Sequence, residues 1–336
     1  MTRRLRSLGF LTIGLFDRED PRAGHETTLS IIERGERLGF DSAWLRDRHL
    51  QYGISSPVAV LAAATQRTSR IRLGTAVIPL GWENPLRLAE DLATVDVLSG
   101  GRLEPGFSVG PPPRLDDVAA ALYPDTVEHE NFGYERLARL RRFIAGDAIS
   151  ARAGTEGIEE FSERVEPHSP GLAERLWYGA GSARSAVWAA EDDFHLLTSS
   201  VVQAGETTDF DREQHAQILL YRETHRAGER ARVSQGLVVV PTDTASPAQR
   251  RRYEAYAEAR RGRIGIPHGP RGLLFAEDLV GTSEQIAERL LSSRAFPEVD
   301  EVAFALPFDF AADDYVQILE DIAGRLGPLL GWAPGE

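Results

Sequence analysis

Short apolar runs alternate along this chain with longer stretches whose apolar positions recur every third or fourth residue. Leu8–Leu15 reads as a strand. Glu26–Leu38 follows, with Leu29, Ile32, Gly35 and Leu38 on one face and Gly39 as its stop, and reads as a helix. The same alternation continues with strand Ser42–Leu45, the alanine-rich helix Pro57–Arg67, strand Ile71–Ile78, helix Pro85–Leu98 and strand Leu103–Val109. A proline-rich segment, 110–124, precedes helix Tyr134–Ala145, and residues 146–172 read as loops with one hairpin around Ile158–Val165. The second half reads as strand Leu176–Gly179, helix Ser185–Glu191, strand His195–Ser200, helix Arg212–Arg226 and strand Val233–Val240. A connection with its own charged helix near Gln249–Arg261 leads to helix Ser283–Leu291, strand Glu301–Leu306 and helix Asp313–Leu326. Eight strand–helix units with no break in composition predict an α/β protein, a single (β/α)8 TIM barrel over residues 1–336. Its insertions, at about 110–130, 146–172 and 242–277, follow strands 4 and 7 in the main. In such a barrel the active site lies where the strands end, which directs attention to their C-terminal residues.

Composition narrows the chemistry. The formal charge of −13 over 336 residues offers no basic face for nucleic acid. There is no cysteine, and all 38 positive side chains are arginine, which removes thiolate chemistry and a lysine Schiff base. No metal site is expected, because His129-Glu130-Asn131 lacks a second histidine one turn on and His168 and His195 stand alone. No run is long and apolar enough for a membrane span, and the basic-then-apolar start is broken by Thr12 and Gly14, so the expectation is a cytoplasmic protein with no membrane contact.

The segment GAGSARS, Gly179–Ser185, sets small residues between an apolar strand and a helix. Such a turn lets the backbone approach an anion at the positive end of the helix, or it is simply a tight turn capped by Ser182. It lacks the glycine that a serine nucleophile elbow needs two residues on.

Five pieces, LGFDSAWLRDRH (38–49), SPVAVLAAATQRTSRIRLGTAVIP (56–79), NPLRLAEDLATVDVLSGGRLEPG (84–106), GAGSARSAVWAAED (179–192) and DLVGTSEQIAERL (278–290), together resemble the bacterial luciferase-like flavin-dependent oxidoreductases, whose fold is a (β/α)8 barrel. The resemblance implies that Gly181, Ser182, Ala183, Arg184 and Ser185 hold a flavin phosphate. It places His49 over the reactive edge of the flavin as the catalytic candidate. Thr75 and Ala76 fall on a bulge behind the ring system that often carries a non-proline cis peptide, and Ser199 matches a flavin-contacting strand end. Val109 stands where the luciferases have a phosphate-contacting arginine, which makes Arg184 the substitute. Trp82, Glu83 and Asn84 after strand 3, and Tyr123 in the insertion after strand 4, are substrate candidates.

The activity implied is that of a two-component monooxygenase: reduced FMN from a separate flavin reductase, together with O2, oxygenates a small-molecule organic substrate. A reductase or dehydrogenase using the deazaflavin coenzyme F-420 is the alternative, although its longer anionic tail meets no evident arginine cluster beyond Arg184. A flavin-binding protein without catalysis is the third reading. A homodimer is expected through Pro57–Arg67 and Pro85–Leu98. Ala59, Ala62, Ala63 and Ala64 in the first, and Leu86, Ala89, Leu92, Ala93 and Val95 in the second, supply more apolar surface than one barrel-facing stripe requires.

Overall fold

The computed structural model describes residues 5–335. Ten strands form one parallel sheet: β1 (Ser7–Thr12), β2 (Ser42–Leu45), β3 (Arg72–Thr75), β4 (Ile78–Pro79), β5 (Leu103–Glu104), β6 (Gly106–Ser108), then, past an outlying hairpin of β7 (Gly154–Glu156) and β8 (Glu159–Phe161), β9 (Trp177–Gly179) and β10 (His195–Ser199), and finally β12 (Val233–Gly236) and β16 (Glu301–Ala305). Their order is β4-β6-β9-β10-β12-β16-β1-β2-β3-β5. Because β4 begins just past β3 and β6 just past β5, both edges of that order lie on the same two chain passes, and the sheet curls back on itself. The remaining strands are short and lie beyond the main sheet: β11 (Val201–Gln203) pairs with β14 (Leu273–Phe275), and β13 (Val239–Pro241) with β15 (Leu279–Gly281).

Helices α1 (Pro21–Arg37), α2 (Pro57–Thr65), α3 (Pro85–Ser99), α4 (Leu115–Leu122), α5 (Tyr134–Ala145), α6 (Ala183–Glu191), α7 (Phe210–Thr224), α8 (Pro247–Arg261), α9 (Ser283–Ser292) and α10 (Ala312–Asp321) connect the strands. Their starts follow local chemistry. Asp20, Asn84, Ser182, Asp209, Ser246 and Thr282 each place a side-chain oxygen on a backbone N–H of the first turn, and proline opens four of these helices or their neighbours at the position where its missing N–H does no harm.

Several expected strands are interrupted. The run 71–78 breaks at Ala76-Val77, whose peptide is cis, and the run 103–109 breaks at Pro105, which has no N–H for a ladder. The run 233–240 divides between the main sheet and the β13–β15 pair. The expected hairpin at 158–165 lies earlier, with Ile158 at its fully exposed tip. The second apolar face of α3 is consumed inside the protein: Ala89, Leu92, Ala93 and Val95 are buried, and α3 packs against α2 and α5. The apolar side chains that α3 leaves exposed are Val97 and Leu98 at its end, while α2 leaves Ala59 and Ala63.

Inside the curl, side chains alternate along each strand between the interior and the surrounding helices. Trp44 and Trp177 meet edge to face at 5.5 Å, with Leu197, Ala303, Leu11, Ala76 and Val77 around them. Gly74 lies beside Trp44 on the neighbouring strand, and a Cβ there would come within 2.2 Å of the indole, so the ring fits only against glycine. This aromatic layer fills the interior of the sheet and forms a floor beneath the C-terminal ends of the strands.

Candidate active site

His49 lies in the turn beyond β2, with its ring stacked on Trp82 at 4.1 Å and 13°. Its Nε2 is 3.3 Å from Asp47 Oδ2, but the approach is off line, and both Asp47 oxygens and His49 Nε2 are buried without a hydrogen-bond partner. Glu83 completes the group: one ligating atom from each of Asp47, His49 and Glu83 lies within 4.8 Å of the others. The sequence expectation of no metal rested on spacing along helices. These three come instead from two loops, a juxtaposition that spacing does not reveal. Burial, then the charge of Asp47, pushes the Glu83 carboxyl up to about 6. The site therefore contains a carboxyl that exchanges a proton near neutral pH, an imidazole and an unsatisfied carboxylate.

Arg136, on α5, holds the wall carrying Trp82 and Glu83. It is buried, donates to the carbonyls of Leu80 (3.0 Å) and Glu83 (2.6 Å), pairs with Glu130 (2.8 Å) and donates to the Tyr123 hydroxyl (2.9 Å). Tyr123 in turn donates to the Gly81 carbonyl at 2.8 Å, so this substrate candidate is engaged in fixing the wall. Asn84 likewise spends its side chain as the cap of α3, accepting from Leu86 and Arg87. Arg136 was missed in the sequence because only the fold brings α5 to the loop after β4.

At the start of α6, just past the end of β9, Ser182 and Ser185 form a capping box. Ser185 N donates to Ser182 Oγ at 3.3 Å, Ser182 N to Ser185 Oγ at 3.1 Å, and Ser185 Oγ to the Ser182 carbonyl at 2.8 Å. The two hydroxyls thus serve the helix first. The groups left facing outward are the backbone N–H of Ala183 and of Arg184, both exposed residues, with open space over Gly181, where a Cβ would meet nothing within 4 Å. That opening at the positive end of α6 fits a phosphate held by N–H groups, with the Arg184 side chain available beside it. Thr75 is fully buried, and its hydroxyl both donates to the Gly106 carbonyl and accepts from Gly106 N, each at 2.9 Å; it joins β3 to β6. Ala76, next along, borders the tryptophan floor. Ser199 is exposed at the end of β10, where its hydroxyl bonds the backbone of Val201. A separate cavity of about 750 Å3 opens beside the mouth between the start of α1, the 50–52 turn and Asp309–Phe310, and includes neither His49 nor Ser182.

Residues 9–296 match the family model described as luciferase-like monooxygenase. Over 144 residues the chain is 33% identical to limonene 1,2-monooxygenase of Rhodococcus erythropolis, covering 42% of this chain and 36% of that protein. Over 127 residues it is 36% identical to an F420-dependent glucose-6-phosphate dehydrogenase of Amycolatopsis mediterranei, covering 36% of each. The aligned part thus spans about a third of either relative. In structure it resembles the oxygenating constituent of 3,6-diketocamphane monooxygenase of Pseudomonas putida in complex with FMN, with a TM-score of 0.64 at 14% identity, over 96% of this chain and 98% of that one.

Proposed function

The chain belongs to the luciferase-like monooxygenase family, and from that premise we propose that it is a flavin-dependent monooxygenase that binds reduced FMN across the mouth of the curled sheet and oxygenates a small organic molecule with O2. The observation that carries this reading is the pairing of an open helix N-terminus at Ala183–Arg184 with the Asp47, His49 and Glu83 group, whose Glu83 carboxyl exchanges a proton near pH 6. Bound flavin supplies the oxygen-activating redox chemistry. The protein's own share is binding, orientation and proton handling. The first turn of α6 anchors the phosphate, the Trp44–Trp177 floor and Ala76 limit how deep a ring system sits, and the Arg136-braced wall keeps Trp82 and His49 in place. His49 turns its Nε2 inward to Asp47 at 3.3 Å, which leaves Nδ1 as the ring atom that donates to or accepts from the reacting edge.

In this reading β3 with β4, and β5 with β6, count as one barrel strand each, which gives the eight units expected. A cytoplasmic homodimer supplied by a separate flavin reductase is part of the proposal. For the dimer, Ala59, Ala63, Val97 and Leu98 form the exposed apolar surface of α2 and α3. No helix of the described residues is long and apolar enough to cross a membrane.

The F420-dependent relative supports deazaflavin coenzyme F-420 as the second reading. The absorption spectrum and mass of the bound cofactor, followed by oxygen uptake with reduced FMN, decide between them. Ser182→Asp, which sets a carboxylate against the phosphate, is expected to weaken FMN at least tenfold in a titration of flavin fluorescence. Unchanged affinity in a folded variant places the phosphate elsewhere.

A further inference from the structure

The buried and half-buried arginines of this protein have partners. Arg72 and Arg232 face Glu104 and Glu301, Arg136 faces Glu130, Arg175 faces Asp96, Arg260 faces Asp278, and Arg102 donates to two carbonyls of the 68–71 turn and to the carbonyl of Ser99. Arg46 and Arg48 depart from this pattern. Neither guanidinium forms an ion pair or a hydrogen bond with any described residue, although both are partly buried. Ser42 and Trp44 face the interior of the sheet, and alternation along the chain carries Arg46 to the same side, above the Trp44–Trp177 floor. Asp47, the nearest acid in sequence, is turned the other way, toward His49 and Glu83. Arg48 extends toward the turn after β16, where its Cζ lies 5.8 Å from the centre of the Phe308 ring.

Two half-buried cations whose charges act on each other repel, and an anion that joins them relieves that repulsion. Burial lowers both pKa values, that of Arg46 to about 10 with the charge of Arg48 as its second cause, so both remain protonated at neutral pH. Their donors are unspent, and a guanidinium fork matches two oxygens of a carboxylate, sulfonate or phosphate. No described residue supplies such a group at this place.

Resting on the monooxygenase reading, we propose that Arg46 and Arg48 recognise an oxyanion carried by the substrate, so that the protein acts on an anionic organic molecule. The same chemistry is present in the phosphate of a flavin or deazaflavin, and the test separates the two sources. FMN affinity is measured by flavin fluorescence in the wild type, Arg46→Gln and Arg48→Gln, and methanesulfonate and acetate are titrated calorimetrically into each protein with and without FMN. The expected result is anion binding to the FMN-loaded wild type that weakens at least tenfold in either variant, with FMN affinity changed less than threefold. A tenfold loss of FMN affinity with anion binding unmoved overturns the proposal and gives the pair to the cofactor. Anion binding that is absent from the wild type, or equal in all three proteins, overturns it as well. If Arg46→Gln fails to fold by circular dichroism, the more accessible Arg48→Gln carries the test. If the wild type binds no FMN, the monooxygenase reading fails, while the titrations without flavin still score the arginine pair.

Discussion

The two ends of the curled sheet use the same residue types in opposite ways. At the N-terminal end, Arg72 donates to Glu104 at 2.8 Å, Arg232 to Glu301 at 2.6 Å and to Glu104 at 3.1 Å, and Trp177 Nε1 to Glu104 at 3.0 Å. Arg232 also lies 4.6 Å from the centre of the Trp177 ring. Burial alone would raise the Glu301 carboxyl, but Arg232 and Arg72 overrule it and hold it below its ordinary value. Every charge there is answered by another. At the C-terminal mouth, Arg46 and Arg48 have no acid, both oxygens of Asp47 lack a hydrogen-bond partner, and Glu83 is pushed up to about 6 by burial and the neighbouring Asp47. A closed network stabilises one arrangement. An open one keeps its donors and acceptors for something that arrives.

The largest effect is expected where the network is closed. Arg232→Met leaves Glu104 and Glu301 with Arg72 as their one remaining cation among the described residues, and removing one partner from a buried ionic cluster costs about 3–5 kcal/mol. Urea unfolding measures this, and a loss below about 1 kcal/mol would erase the distinction between the two ends. At the mouth, His49→Ala is expected to lower turnover about 10²-fold, the scale for a positioned acid–base group, while FMN affinity stays within a few fold. Full turnover in a destabilised His49→Ala protein would make His49 part of the wall rather than of the chemistry.

The smallest effect sharpens the contrast through pH. The Glu83 carboxyl has a folded-state value of about 6 against 4.5 in the unfolded chain, so between these values the folded protein holds more protons. Stability therefore declines as pH rises through that window, by on the order of 2 kcal/mol, and the penalty persists at higher pH. Glu83→Gln removes this term. Urea unfolding of both proteins at pH 4.5 and pH 7 should show the variant gaining stability relative to the wild type at the higher pH; parallel behaviour would mean that Glu83 is solvated like an ordinary surface carboxyl.

The order of strands and helices, the cap at Ser182, and the small-residue turn before α6 were legible in the sequence because each depends on neighbours within a turn or on a short period. The chain alone determined an α/β alternation, a small-residue turn at a helix start, and a chemistry without thiols or lysine. Which side of a strand end a charge takes was not legible. In Arg46-Asp47-Arg48-His49 the acid stands between two arginines in sequence, yet alternation at the end of β2 sends Asp47 and His49 toward Trp82 and Glu83, and leaves the arginines without it. The expected absence of an arginine cluster beyond Arg184 overlooked this pair for the same reason. The pairings of β11 with β14 and β13 with β15, the bracing of the wall by Arg136 and the loss of the second face of α3 into the interior were likewise decided by tertiary structure alone. Each requires segments distant in sequence to meet, and the free energy that selects such a meeting is that of burying and satisfying both partners together, which neither segment carries by itself.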